Sequence, residues 1–197
     1  MPKIITKKAL ARSLKEQMSE RPFTKISVED ICEKAEISRR NFYRYFPDKY
    51  ALLNWLYYED YFSKLVYHED WVVWDYFPSI CEYCYTDRAF FKNAFMVEGQ
   101  NSLRAYSQEL MYPLIMHDYE DSFLSEKIAG FFISRITDML YDYMQEWLKS
   151  EPCIPPYEFA AYVRKSVSIH SKRTWEITSR EHPPVEEVHL RPAATNF

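Results

Sequence analysis

The sequence has 197 residues, a net charge of −4 and a hydrophobic fraction of 47%, which suits one large domain, or a small domain joined to a medium one, with a buried core. Only two glycines occur and long β-branched runs are scarce, so we predict an all-α protein. No apolar run approaches the roughly 20 residues of a membrane-spanning helix, and the start of the chain has no signal-peptide pattern. These features predict a cytoplasmic protein with reduced cysteines.

The charge is unevenly distributed along the chain. Residues 1–58 carry 12 Lys+Arg and 7 Asp+Glu, which gives +5, whereas residues 59–197 carry 13 and 22, which gives −9. A basic first segment followed by an acidic body indicates a head that binds a polyanion and a body with another task.

The first predicted helix lies near the N-terminus. Thr6 is predicted to cap it, and it should run to about Glu20, before Pro22. Apolar residues recur every four positions within it, at Leu10, Leu14 and Met18. This spacing gives the helix one face that packs against a core.

Two shorter helices are predicted next. Ser27 opens the sequence SVED, a near match to a capping box, with Asp30 in the place of the more usual Glu. A second cap is predicted at Ser38, and the helix that follows should end near Phe46, where Pro47 interrupts it. Two short helices joined by a tight break form a helix-turn-helix.

The helix 38–46 has two chemically different sides. At 100° per residue, Phe42 and Phe46 lie on the side that faces the core. A solvated helix would mix acids with its bases, but no acidic residue occurs between Glu36 and Asp48. Guanidinium, amide and phenol groups suit guanine edges, adenine edges and phosphates. The simpler alternative is a basic helix face that is only solvated.

The whole segment TKKALARSLKEQMSERPFTKISVEDICEKAEISRRNFYRYFPDKYALL resembles the DNA-binding domain of the tetracycline-repressor (TetR) family. The pattern IS-x-x-DI-x-x-x-A-x-IS-x-x-x-FY-x-YF-x-x-K-x-x-LL carries the resemblance, which covers about a quarter of the chain. One departure is Glu36, where the family commonly has glycine in the turn. The resemblance implies a helix-turn-helix head that binds double-stranded DNA.

The resemblance also implies roles for individual residues. Ser27, Tyr45 and Lys49 match positions that usually hold phosphates, and Lys49 falls in the first turn of a helix, where free backbone N–H groups favour an anion. The positions facing the major groove are matched by Arg39, Arg40, Asn41, Tyr43 and Arg44. The cap Ser38 completes the predicted DNA-binding set.

The remainder of the chain predicts a helical body. Helices are expected near 50–66, 69–85, 87–97, 101–119, 122–150 and 157–181. Pro78 and Pro113 are expected to kink or break two of them. The last two helices are long and amphipathic, as a dimerising four-helix bundle requires, although their apolar stripes could instead face only the monomer core.

These patterns divide the chain into three parts: a DNA-binding head (residues 1–50), a regulatory and dimerisation body (51–181) and a flexible tail (182–197). In the body, the segments 90–106 (FFKNAFMVEGQNSLRAY) and 143–163 (YMQEWLKSEPCIPPYEFAAYV), together with the earlier run DKYALLNWLYYED, resemble a narrower branch of the family. That branch includes regulators of dihydroxyacetone-kinase operons.

The other signals in the body are weak. Cys81 and Cys84 have metal-type spacing, but one CxxC lacks two ligands, so two small buried groups one turn apart are the better interpretation. The dense aromatics of the body fit a ligand pocket or a plain core. We predict no metal, no cofactor and, because no catalytic constellation is visible, no enzyme.

The sequence thus predicts a homodimeric transcription regulator. Its helix 38–46 should bind a palindromic DNA operator, and its body should sense an effector, either a small molecule or a protein. The alternative is an interaction protein of the same fold that does not use DNA. The sequence leaves open whether the protein represses or activates.

Overall fold

The computed structural model describes residues 3–66, 68, 70–99, 101–118 and 126–181. Every regular element in these ranges is helical, which confirms the all-α prediction. Two short 3-10 turns occur at Phe23–Lys25 and Phe62–Lys64. Within the described ranges, no helix is long and apolar enough to cross a membrane. The α-helices are α1 (Lys3–Glu20), α2 (Val28–Lys34), α3 (Arg39–Tyr43), α4 (Lys49–Asp60), α5 (Val73–Thr86), α6 (Arg88–Ala94), α7 (Leu103–Asp118), α8 (Glu126–Lys149) and α9 (Pro156–Glu181).

The chain divides into two compact units, residues 1–160 and 161–197. The first contains α1 to α8 and the first five residues of α9. As far as it is described, the second contains the rest of α9. The predicted boundary after residue 50 stays a prediction, and the predicted tail, 182–197, lies outside the described residues.

Helix α1 is the centre of the head. Leu10, Leu14 and Met18 are fully buried, which confirms the predicted apolar face. The prediction of a cap at Thr6 is wrong, because α1 begins at Lys3 and Thr6 is buried inside it. The buried face of α1 therefore begins one turn earlier than its apolar residues indicate, because the residue at its first position is Thr6.

Polar side chains on α1 fix α2 beside it. The Ser13 hydroxyl donates to Ile31 O at 2.9 Å, and Gln17 Nε2 donates to Asp30 O at 3.1 Å. Both donors belong to buried residues, so each bond satisfies a polar group that would otherwise be costly to bury.

Both ends of α2 carry recognisable capping motifs. Ser27 Oγ accepts from Asp30 N at 3.0 Å while Asp30 Oδ2 accepts from Ser27 N at 2.7 Å, which confirms the capping box. At the other end, Ile37 N donates to Cys32 O at 2.9 Å and Glu36 N to a carbonyl inside α2, a Schellman arrangement. Glu36 has φ +55°, in the left-handed region that favours glycine.

The body helices lie close to their predicted ranges. Pro78 and Pro113 lie inside α5 and α7, so neither proline breaks its helix, and the predicted kinks stay a prediction. A proline removes one helical hydrogen bond, but Phe77 and Ile80 next to Pro78 are buried in the core. This packing holds α5 together across the missing bond.

Aromatic rings form much of the body core. Cys81 and Cys84 are fully buried beside them, as their interpretation as small core groups predicts. The start of α9 is stacked on α8 through Trp147 and Phe159, whose ring centroids are 4.3 Å apart. Further ring contacts run from α4 across α5 and α6 to α8, through Tyr57, Tyr61, Tyr83, Phe91, Phe95 and Tyr141.

Candidate nucleic-acid interface

Helix α3 presents the predicted outward face to solvent. Arg39, Arg40, Tyr43 and Arg44 are exposed, and Asn41 is half-buried on the flank. Within the described residues, none of the three arginines takes part in an ion pair. Their guanidinium groups are therefore available to external acceptors.

The opposite side of α3 anchors it to the head. Phe42 is 0% and Phe46 3% exposed, which confirms the predicted helical phase. The rings of Phe46 and Trp55 on α4 are 5.7 Å apart, and Lys7 Nζ of α1 lies 5.4 Å from the Phe46 centroid. This contact with Lys7 is invisible to pattern reading, because it joins residues 39 positions apart in the sequence.

The ends of α3 are held by local hydrogen bonds. Ser38 Oγ accepts from Asn41 N at 3.3 Å, as the predicted cap requires. The α-helix ends at Tyr43, earlier than predicted, but Tyr45 N and Phe46 N both donate to Phe42 O, at 2.9 and 3.0 Å. These hydrogen-bonded turns continue the helical winding as far as Phe46. The Phe46 side chain therefore stays on the buried side of α3.

Two of the predicted phosphate contacts and the predicted cap Ser38 are accessible to solvent. Ser27 and Ser38 are exposed at the N-terminal caps of α2 and α3, and Tyr45 is half-buried just after α3. Their contacts with DNA stay predictions.

Lys49 has a structural task that the sequence did not reveal. Its Nζ donates to Phe23 O at 2.8 Å and to Ile26 O at 2.6 Å, and it lies 4.4 Å from the Phe23 ring centroid. Burial lowers the pKa of this ammonium, and the charge of Asp30 opposes the shift. Two of its three N–H donors are used inside the head, which leaves one for the predicted phosphate contact.

The body contains a small cavity and a larger surface pocket. The small cavity is partly open and has a volume of about 50 Å³, and its wall includes Tyr57, Ser107 and Thr137. The pocket has a volume of about 550 Å³ and lies between the end of α4 and α5. Tyr83 lines it, and among the described residues the buried Tyr83 hydroxyl has no hydrogen-bond partner.

Two family models match this chain. The model described as "Bacterial regulatory proteins, tetR family" matches residues 12–56, which contain the whole of α2 and α3. A second, described as "Transcriptional regulator C-terminal region", matches residues 74–168. The chain belongs to the TetR family. It is a DNA-binding transcriptional regulator, as the resemblance of the first fifty residues predicted, and the proteins that it matches are regulators and not enzymes.

Similar proteins place this TetR regulator more narrowly. It is 35% identical over 71 residues to the "HTH-type dhaKLM operon transcriptional activator DhaS" of Lactococcus lactis subsp. lactis (strain IL1403). That match spans 36% of this chain and only 38% of the relative. The predicted resemblance to regulators of dihydroxyacetone-kinase operons is thereby confirmed.

A solved structure is also similar to this TetR regulator. It is the "Dihydroxyacetone kinase operon activator DhaS", with a TM-score of 0.57 and 20% identity, over 84% of this chain and 96% of that chain. At this level of identity, the likeness supports the fold alone.

Proposed function

We propose that this regulator is a homodimer that binds a palindromic operator through α3 and that an effector acting on its body controls binding. Residues 1–50 serve as the DNA-binding head and residues 51–181 as the regulatory and dimerisation body. The observation that carries the proposal is the exposed basic face of α3, whose arginines form no ion pair with any other described residue. Phe42 and Phe46 hold that face rigidly from behind, and a fixed face is what base reading requires.

Each residue of the interface has a role that follows from its chemistry. Arg40 and Arg44 lie one turn apart on the exposed side, where each guanidinium can grip guanine through two hydrogen bonds. Asn41 suits an adenine edge. The proposed phosphate contacts come from the hydroxyls and the ammonium around α3: Ser27, Ser38, Tyr45 and Lys49.

A two-fold operator calls for a two-fold protein. In the first unit, α8 exposes large aromatic side chains, with Phe131 62% and Tyr143 38% exposed. Exposed apolar side chains grouped on one helix are typical of a protein interface. We propose that α8 contributes to the dimer contact together with α9, the other long helix at the end of the chain.

The effector is proposed to act on the body. Small-molecule sites usually have volumes of roughly 300–1,000 Å³, so the cavity of about 50 Å³ is too small. The pocket of about 550 Å³ beside Tyr83 has a suitable size, and aromatic side chains form much of its wall. A protein effector that binds the body is the second possibility, and titration with candidate small molecules distinguishes the two.

The test of the proposed function separates base reading from charge. Arg40→Lys and Arg44→Lys keep the positive charge but lose the bidentate grip. We expect each variant to lose about 1–3 kcal/mol of discrimination at one base pair and to keep most of its nonspecific affinity. The measurement selects an operator from a randomised duplex library with the wild-type protein, then competes it against every single-base variant at one salt concentration.

Arg12→Lys is the matched control, because Arg12 is also exposed on the head but lies on α1. It should leave the sequence preference unchanged. If both α3 variants also keep the wild-type preference, the arginines supply only charge. If the wild-type protein selects no sequence at all, the chain is an interaction protein of the same fold.

A further inference from the structure

Two consecutive residues in the body, Asp87 and Arg88, contact different elements. Asp87 Oδ2 lies 2.6 Å from Lys15 Nζ, in the middle of α1. The Arg88 guanidinium donates from Nε to Leu148 O at 2.9 Å and from Nη2 to Ser150 O at 2.7 Å. The start of α6 therefore joins the central helix of the head to the C-terminal end of α8.

The Arg88 contact acts as a cap on α8. The last carbonyl groups of a helix have no partner within the helix and carry its partial negative charge. Arg88 satisfies two of the carbonyls there and also pairs with Glu151 Oε1 at 2.9 Å. A guanidinium is a planar fork with fixed donor directions, so these bonds fix the position of Arg88 relative to the end of α8.

The contact with the head is held at a second point. Asn93 Nδ2, near the end of α6, donates to Met18 O at 2.6 Å, near the end of α1. Both ends of α6 are thus bonded to α1. Because α6 has only seven residues, we expect a displacement of Arg88 to move the residues of α6 that contact α1.

Lys15 has two possible partners. Its Nζ is 2.6 Å from Asp87 Oδ2 but also 3.4 Å from Asp60 Oδ2, at the end of α4. A lysine between two carboxylates can change its preferred partner when one of them moves. About a quarter of the Lys15 side chain is exposed, so solvent screens this choice less than it would on an open surface.

From α1 the connection continues to the DNA-binding helices. Ser13 and Gln17 on α1 donate to main-chain carbonyls of α2, and α2 leads through the Schellman turn into α3. Each contact between elements from α8 to α2 is therefore a hydrogen bond or an ion pair between named groups, and the main chain joins Arg88 to Asp87 and Lys15 to Ser13 and Gln17. Such a chain of contacts becomes a coupling only if its members depend on one another energetically.

We propose that Asp87 and Arg88 together couple the end of α8 to the position of the DNA-binding head, with Lys15 as the receiving group. The proposal rests on the proposed function, because it needs a body that controls the head. It assigns Lys15, Asp87 and Arg88 as positioning residues that change operator affinity without touching DNA. Release of Arg88 from α8 moves Asp87, and Lys15, which bridges both carboxylates, then keeps only its contact with Asp60.

A double-mutant cycle tests this dependence. Arg88→Met and Lys15→Met keep a long apolar stem and remove the charge. Operator affinity is measured for both single variants and for the double variant, on the duplex selected by the wild-type protein. We expect each single change to alter the dissociation constant at least fivefold, and the double variant to lie within twofold of the stronger single.

The matched control is Lys34→Met. Lys34 on α2 forms an ion pair of 3.0 Å with Glu16 on α1. Like Lys15, it is a charged residue of the head with an ion-pair partner, but its ion pair does not involve α6. The fold-changes in dissociation constant caused by Lys34→Met and by Arg88→Met should multiply when the two substitutions are combined. Lys15→Arg, which can keep the ion pair, should bind DNA as the wild type does.

The outcomes separate this inference from the proposed function. If the fold-changes in dissociation constant caused by Lys15→Met and Arg88→Met multiply in the double variant, as those of the control pair do, the two sites are independent. The inference then fails, while the proposed function stands. If wild-type protein selects no operator, both fail. Hydrogen exchange of α2 and α7 is measured for every variant. A loss of affinity that merely parallels lost protection in α2 means a structural role and overturns the coupling.

Discussion

The head and the body of the first unit obtain their order in different ways. In the head, each short helix after α1 begins at a polar cap, namely Ser27, Ser38 or Asp48. In the body, Asp87 precedes α6 without capping it and binds Lys15 instead, while rings from distant segments form the core. Hydrogen bonds to caps and main-chain carbonyls hold the short helices of the head, whereas packed aromatic rings hold the body core, so the two regions should respond differently to the same perturbation.

The largest expected difference comes from removing the anchor of α3. Phe42→Ala should cost about 3–5 kcal/mol, because Phe42 is fully buried and its loss leaves a cavity. The head should lose hydrogen-exchange protection at 28–46 while α7 and α8 keep theirs. Tyr43→Ala is the neighbouring control, since Tyr43 is 50% exposed, and it should change stability by less than about 0.5 kcal/mol. Equal losses in the two variants would mean that α3 is not held by its buried side.

Alkaline pH should instead lower the stability of the body. Burial raises the pKa of Cys81 to about 12 and also raises those of Cys84 and Tyr57. These groups stay neutral in the folded state and ionise earlier in the unfolded chain. The stability that Cys81 contributes is therefore complete below about pH 9 and is lost between pH 9 and 12, at about 1.4 kcal/mol per pH unit.

The pH dependence is measured by urea unfolding between pH 8.5 and 10.5. Cys81→Ala should flatten the slope of unfolding free energy against pH, whatever its effect on stability at pH 8.5. The head should respond less, because burial raises the pKa of Cys32 but lowers that of Lys49, and the two act in opposite directions as the pH rises. An unchanged slope in Cys81→Ala would exclude this thiol as a source of alkaline instability.

The smallest expected effect concerns the turn before α3. Glu36 pays for its left-handed backbone with strain that glycine avoids. Glu36→Gly should stabilise the head by about 0.5–1 kcal/mol, because the relieved strain exceeds the extra chain entropy of glycine. Thermal unfolding measures the gain. Glu36→Ala removes the carboxylate but keeps Cβ, so it should give no gain, and an equal gain in both variants would assign the effect to charge.

The same contrast explains what the sequence could predict. The capping box at Ser27 and the cap at Ser38 depend on residues three positions apart, and both were predictable. The helical phase of α3 followed from the spacing of Phe42 and Phe46. The error at Thr6 arose because a threonine suits both a cap and a buried helical position, and only the packing of α1 decides between them.

Long-range contacts were beyond the reach of these patterns. Lys49 bonds to the carbonyls of Ile26 and Phe23, which precede it by 23 and 26 positions respectively. In the sequence, Lys49 was therefore visible only as a lysine at the start of a helix. The contacts of Asp87 and Arg88 span still larger separations. That α5 continues through Pro78 was not predictable for the same reason, since the packing of Phe77 and Ile80 is not visible in local sequence.

The small cavity beside Thr137 leaves the body room for water. Its volume of about 50 Å³ exceeds the roughly 10–15 Å³ that one water molecule needs on this measure. Ser107 and Thr137 belong to its wall, and their hydroxyl groups can bond such a water. Solvent can therefore enter the packing among α4, α5, α7 and α8, where a larger apolar side chain would displace it.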